Sequence, residues 1–64
     1  RSFLMARKEC NMTQKELAEI TGINQADISK IETGNANPAV STLRRLAEGM
    51  GMVLRFEFIP QKVN

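Results

Sequence analysis

Apolar residues recur at helical spacing along most of this chain and then switch to strict alternation near its end, a pattern that predicts helices followed by one strand. From Arg1 to about Cys10, Phe3, Ala6 and Cys10 share one stripe at i, i+3 and i+7, with Arg7 and Lys8 beside it, which predicts a first helix. A second begins at Thr13. In Thr13-Gln14-Lys15-Glu16 the Thr13 hydroxyl oxygen can accept from the Glu16 backbone N–H while the Glu16 carboxylate reaches back to that of Thr13. This helix runs to about Thr21 and stops at Gly22. Asn24, with Asp27 three residues on, starts a third helix over roughly Gln25 to Thr33, and Gly34 suits the left-handed residue that ends it. Gly34 to Pro38, GNANP, reads as loop. A fourth helix, from about Val40 to Met50, should bury Val40, Leu43, Leu46, Ala47 and Met50, and Gly51 terminates it.

Beyond Gly51 the period becomes two. In Met52 to Ile59, MVLRFEFI, Leu54, Phe56 and Phe58 point one way while Arg55 and Glu57 point the other, as in a half-buried strand that Pro60 closes. A lone strand leaves its backbone unpaired, so its partner must come from outside the visible chain or from another molecule. The expected organisation is therefore a helical domain over 1–51, a strand over 52–59 and a short tail over 60–64.

Composition narrows the class of protein. At 64 residues there is room for one domain, and a domain this small buries only about 60% of the surface its unfolded chain exposes, which favours a partner that adds to the core. Hydrophobic residues make up 42% and charged residues 25%, with no apolar run long enough to cross a bilayer. Cys10 is the single cysteine and has no internal disulfide partner; with no signal-peptide pattern, a reducing cytoplasm is the expected location. Cys10 should pack in the core, with redox sensing as the alternative. The chain opens on Arg1 rather than methionine, leaving room for residues ahead of it. Histidine, tryptophan and tyrosine are absent and the thiol has no imidazole to activate it, so an enzyme is not expected, nor a metal or other cofactor. The net charge of +2 is modest, although the isoelectric point of about 9.1 suits contact with a polyanion.

Thr13 to Glu32 carries the most specific signal. Two short helices that cross closely at a steep angle need a small residue at the crossing, here Ala18, and a turn residue that tolerates positive φ, here Gly22. Leu17, Ile23, Ile28 and Ile31 can close the wedge from both sides. This is the outline of a helix-turn-helix. Thr13 to Ala18, Gly22, Gln25 to Ser29 and Lys30 to Gly34 follow the recurring TQxxLA, Gly, xxQxxIS and xIExG pattern, and on these residues the chain resembles the phage repressor and Cro regulators, the XRE family, over residues 1 to about 51.

The resemblance implies a mainly α, lambda-repressor-like bundle of four or so helices, and the C-terminal strand read from its alternation is expected to pair across a dimer. It implies that the third helix enters the major groove of double-stranded DNA, with Gln25, Ala26, Ser29 and Lys30 toward the base edges. The chemistry agrees: Gln can pair with adenine N6 and N7, Lys can donate to guanine O6 and N7, and Ala26 can touch a thymine methyl. The bland alternative for these residues is a solvated helix face. Phosphate contacts fall to Thr13 and Gln14 at the start of the second helix, to Asn24, and to Asn35 and Asn37, for which turn chemistry is an equal alternative. Arg44 and Arg45 read more readily as a solvated face. For Arg7 and Glu32 the resemblance implies a buried ion pair tying the first helix to the end of the third.

The resemblance also implies a two-fold homodimer on a palindromic operator, with recognition helices about 34 Å apart. Leu54, Phe56 and Phe58 of the strand are the expected dimer contacts. This tail is similar to that of HipB-type and HigA-type antitoxins. Three functions follow: a dimeric repressor, an antitoxin that also binds a toxin protein, or an interaction module that does not bind DNA. No membrane association is expected.

Overall fold

The computed structural model describes residues 2–63, and four helices account for its ordered core: α1 (Phe3–Glu9), α2 (Gln14–Thr21), α3 (Gln25–Glu32) and α4 (Val40–Gly49). Side chains or carbonyls close nearly every end of them. The Ser2 hydroxyl oxygen accepts from the Met5 N–H at 3.2 Å. The capping box of α2 forms in full, with Glu16 N–H on Thr13 Oγ1 at 3.0 Å and Thr13 N–H on Glu16 Oε1 at 2.9 Å. Asn24 Oδ1 accepts from Ala26 N–H at 2.8 Å and starts α3. Only α4 begins without a side-chain cap, at Ala39.

The C-terminal ends set the directions of the chain. Gly22, at φ 75°, ends α2 while its N–H still reaches Ala18 O at 2.9 Å; a residue with a Cβ would be strained there. After α1 the same left-handed position is taken by Asn11, at φ 54°, with Asn11 N–H on Lys8 O at 3.0 Å and Met12 N–H on Arg7 O at 3.4 Å. The Thr21 hydroxyl donates to Leu17 O at 2.7 Å and its oxygen accepts from Ile23 N–H at 3.2 Å, so one side chain spans the turn between α2 and α3.

Leu17 from α2, Ile28 from α3 and Leu46 from α4 are fully buried and meet at the centre, where Phe3, Met12, Ala18, Ile23, Ile31 and Met50 pack around them. Burial of such a side chain contributes about 1.5–3 kcal/mol, so three helices are held together by three residues that no surface contact could replace. The core is small, and two expected members are missing from it: Leu43, half-buried beside the cluster, and Val40. Val40 stands 48% exposed, because it occupies the first position of α4, before that helix has reached the bundle. Cys10 is half-buried and its Sγ donates to Met50 O at 3.4 Å, joining the end of α1 to the end of α4.

The expected strand over Met52 to Ile59 is corrected: the described residues contain no strand. After Met52, whose N–H reaches Ala47 O at 2.8 Å, the backbone runs on without regular pairing. Alternation of side chains is a property of one segment, whereas a strand requires a second edge to take its N–H and C=O groups, and the four helices offer none. Leu54 is half-buried against the helices, Phe56 is 55% exposed and Phe58 fully exposed. The tail stands away from the bundle. The radius of gyration is 13.1 Å, against about 11 Å for a compact chain of this length.

Candidate nucleic-acid interface

With Ile28 and Ile31 turned into the core, the opposite side of α3 is fixed in direction. Gln25, Ser29, Ala26 and Lys30 fall within an arc of about 140° at 3.6 residues per turn, and all but the half-buried Ser29 are exposed. The structure thus brings together the four side chains expected to face the bases. Asp27 lies outside that arc, so no carboxylate interrupts it.

A part-buried ionic brace supports this helix from behind. Glu32 accepts Arg7 Nε on Oε2, and Arg7 Nη2 on Oε1 at 3.0 Å, a two-point contact of guanidinium and carboxylate. Arg7 Nη1 also donates to Met12 O at 2.8 Å, so one side chain ties α1 to the loop before α2 and to the end of α3. The two side chains are only 12% and 5% exposed. The hydrogen bonds from Arg7 hold the Glu32 carboxyl below the usual carboxylate range, against the opposing effect of burial, and the same pairing raises Arg7. The ion pair expected from the resemblance is present.

The residues expected at phosphates are distributed less simply. Thr13 and Asn24 are exposed, but their side-chain oxygens are engaged as helix caps, leaving the Asn24 amide nitrogen outside the cap contact. Gln14, half-buried at the start of α2, donates through Nε2 to Glu32 Oε1 at 2.9 Å, a contact that nothing in the sequence pattern marks. Asn35 Nδ2 donates to Thr33 Oγ1 at 3.1 Å, the turn chemistry that was the alternative reading. Asn37 is exposed and lines a cleft with Asn24, Asp27 and Arg45 between α3, the following loop and α4. Arg44 lines a different surface, beside Glu48, Met52 and Val53.

The profile of the helix-turn-helix family matches residues 4–54, four-fifths of the chain, from the second residue of α1 to beyond the end of α4. The chain belongs to the helix-turn-helix family. Among relatives of this helix-turn-helix protein, an uncharacterized HTH-type transcriptional regulator of Haemophilus influenzae is 30% identical over 64 residues, covering 100% of this chain and 63% of the relative. The HTH-type transcriptional regulator y4dJ of Sinorhizobium fredii, also uncharacterized, is 37% identical over 51 residues, 80% of this chain and 66% of the relative. Antitoxin HigA1 of Mycobacterium tuberculosis is 33% identical over 54 residues, 84% of this chain and 36% of the relative. The chain therefore spans less than two thirds of the length of each of these relatives. No solved structure matches it significantly. Among the described residues no helix is long and apolar enough to cross a membrane.

Proposed function

We propose that this helix-turn-helix protein binds double-stranded DNA sequence-specifically and acts in the cytoplasm as a dimeric transcriptional repressor rather than as an enzyme. The observation that carries the proposal is the outward face of α3: Gln25, Ala26, Ser29 and Lys30, without a carboxylate among them, on a helix whose other side is locked by Ile28 and by the Arg7–Glu32 brace. On this reading α3 enters the major groove, Gln25 pairs with adenine and Lys30 with guanine, and Thr13, Gln14, Asn24, Asn35 and Asn37 supply phosphate contacts. Selection of bound duplexes from a random pool tests it. Recovery of one consensus, with affinity that falls steeply with salt, supports the reading; a pool left unenriched would sink it.

Dimerisation follows from the tail on the same reading. Phe58 is fully exposed and Ile59 and Val53 nearly so, on a segment too apolar to remain in water at no cost. Two copies meeting about a two-fold axis through this tail bring its apolar side chains, Leu54, Phe56 and Phe58, out of water together. Such a pair presents α3 twice, as a palindromic operator requires.

The similarity to antitoxin HigA1 favours a second reading, in which the protein represses its own operon and also holds a toxin protein. Co-expression with the product of the adjacent gene and co-purification of the two discriminate between them.

A further inference from the structure

The brace behind α3 has a third member, Gln14, at the N-terminus of α2. Glu32 Oε1 receives two donors, Arg7 Nη2 at 3.0 Å and Gln14 Nε2 at 2.9 Å. Glu32 is nearly enclosed at the last position of α3, and Gln14 is the first residue of α2, so the contact joins the two helices of the motif across 18 positions of sequence. A glutamine amide carries two N–H donors and one carbonyl acceptor in a plane. Committing one N–H to an anchored carboxylate fixes that plane, and with it the direction of the second N–H. A free glutamine side chain would instead lose its rotamer freedom only when it met a ligand.

We propose that Glu32 is a positioning residue for DNA binding: through Gln14 Nε2 it holds the Gln14 amide in place, so that the remaining N–H is presented to a phosphate oxygen before the duplex arrives. The proposal rests on the DNA-binding reading above and assigns Glu32 a role in binding besides its part in the ion pair. Arg7 contributes by holding the Glu32 carboxylate in one orientation through its two-point contact, as a carboxylate that rotated would release Gln14.

Coupling between the two residues tests this. Gln14→Ala is made in the wild-type chain and in the Arg7→Met/Glu32→Leu double variant, in which the ion pair is replaced as a unit by apolar side chains and no buried charge is stranded. Thermal melts accompany binding to a random-sequence duplex. In the wild-type chain Gln14→Ala should weaken binding about tenfold, the loss of one hydrogen bond to a charged group. In the double variant, where the amide is already unrestrained, the same substitution should cost less than about threefold, because ordering the side chain offsets most of what the contact contributes. A merely structural ion pair would leave the two losses equal, and equal losses would overturn the proposal.

A side-chain amide spectrum of the wild-type chain gives a second readout that does not depend on the double variant folding. One Gln14 Nε2 proton should be displaced from the free-glutamine position and exchange slowly with solvent, and the other should shift on adding duplex; a pair with the shifts and exchange of a free glutamine amide would overturn the assignment. Loss of the underlying reading is separable, since a wild-type chain that bound no duplex at low salt would remove DNA binding itself.

Discussion

Thr21 and Gly49 face each other where α2 crosses α4, so closely that a Cβ on Gly49 would lie 2.6 Å from Thr21 Cγ2 and 3.2 Å from Leu17 Cδ1. Thr21 cannot simply turn away, because its hydroxyl is committed to Leu17 O and to the N–H of Ile23. Gly49→Ala should therefore destabilise the domain by about 1–3 kcal/mol through overpacking, since at the last residue of α4 the helix propensity of alanine offsets little of that cost. Chemical denaturation measures it. A more stable alanine variant would show that the crossing has slack.

Arg7 is expected to matter for stability and not for sequence preference. Arg7→Ala leaves the Glu32 carboxylate without its partner and frees Met12 O, and should cost about 3 kcal/mol. That is a fall in Tm of more than about 12 °C for a domain of this size. A variant with unchanged Tm but an altered DNA consensus would contradict the structural role.

Acid should unfold the protein through the same group. The Glu32 carboxyl is held below its usual range by Arg7, so its contribution is fully present above the unfolded value of about 4.3 and is lost as pH falls through the folded one. Glu16, lowered by the backbone and hydroxyl of Thr13, acts in the same direction. Tm measured from pH 6 down to about pH 2 should fall most steeply below the ordinary carboxylate value. Arg7→Met/Glu32→Leu should show a shallower acid limb, and an unchanged one would mean that other carboxylates dominate.

On the recognition face, Lys30→Ala and Gln25→Ala should each cost about 1–3 kcal/mol of discrimination at one base position while leaving the melt unchanged. Selection with the variants checks this, and full selectivity of Lys30→Ala would show that the face has been misassigned.

For the tail, Phe56→Asp introduces a charge into the proposed two-fold contact and should convert dimers into monomers in sedimentation equilibrium. A dimer that persisted would place the interface on another surface.

Local signals in the sequence specified the four helices, the Thr13 and Asn24 caps and the direction of α3, but not the Ser2 cap or the left-handed Asn11. The signals responsible, the Thr13–Glu16 box, the Asn24 cap and the apolar spacing of Leu17, Ile28, Ile31 and Leu46, act within three or four residues along the chain, where local geometry is nearly independent of the rest of the fold. The Arg7–Glu32 pair was legible only through resemblance, as no local period joins residues 25 positions apart. Long-range packing set the turn of Gln14 to Glu32, the position of Val40 outside the core and the lack of room for a Cβ on Gly49 beside Thr21. It also decided that Met52 to Ile59 forms no strand, because alternation specifies which side chains share a face, whereas pairing depends on a second edge that the described residues of this chain do not contain.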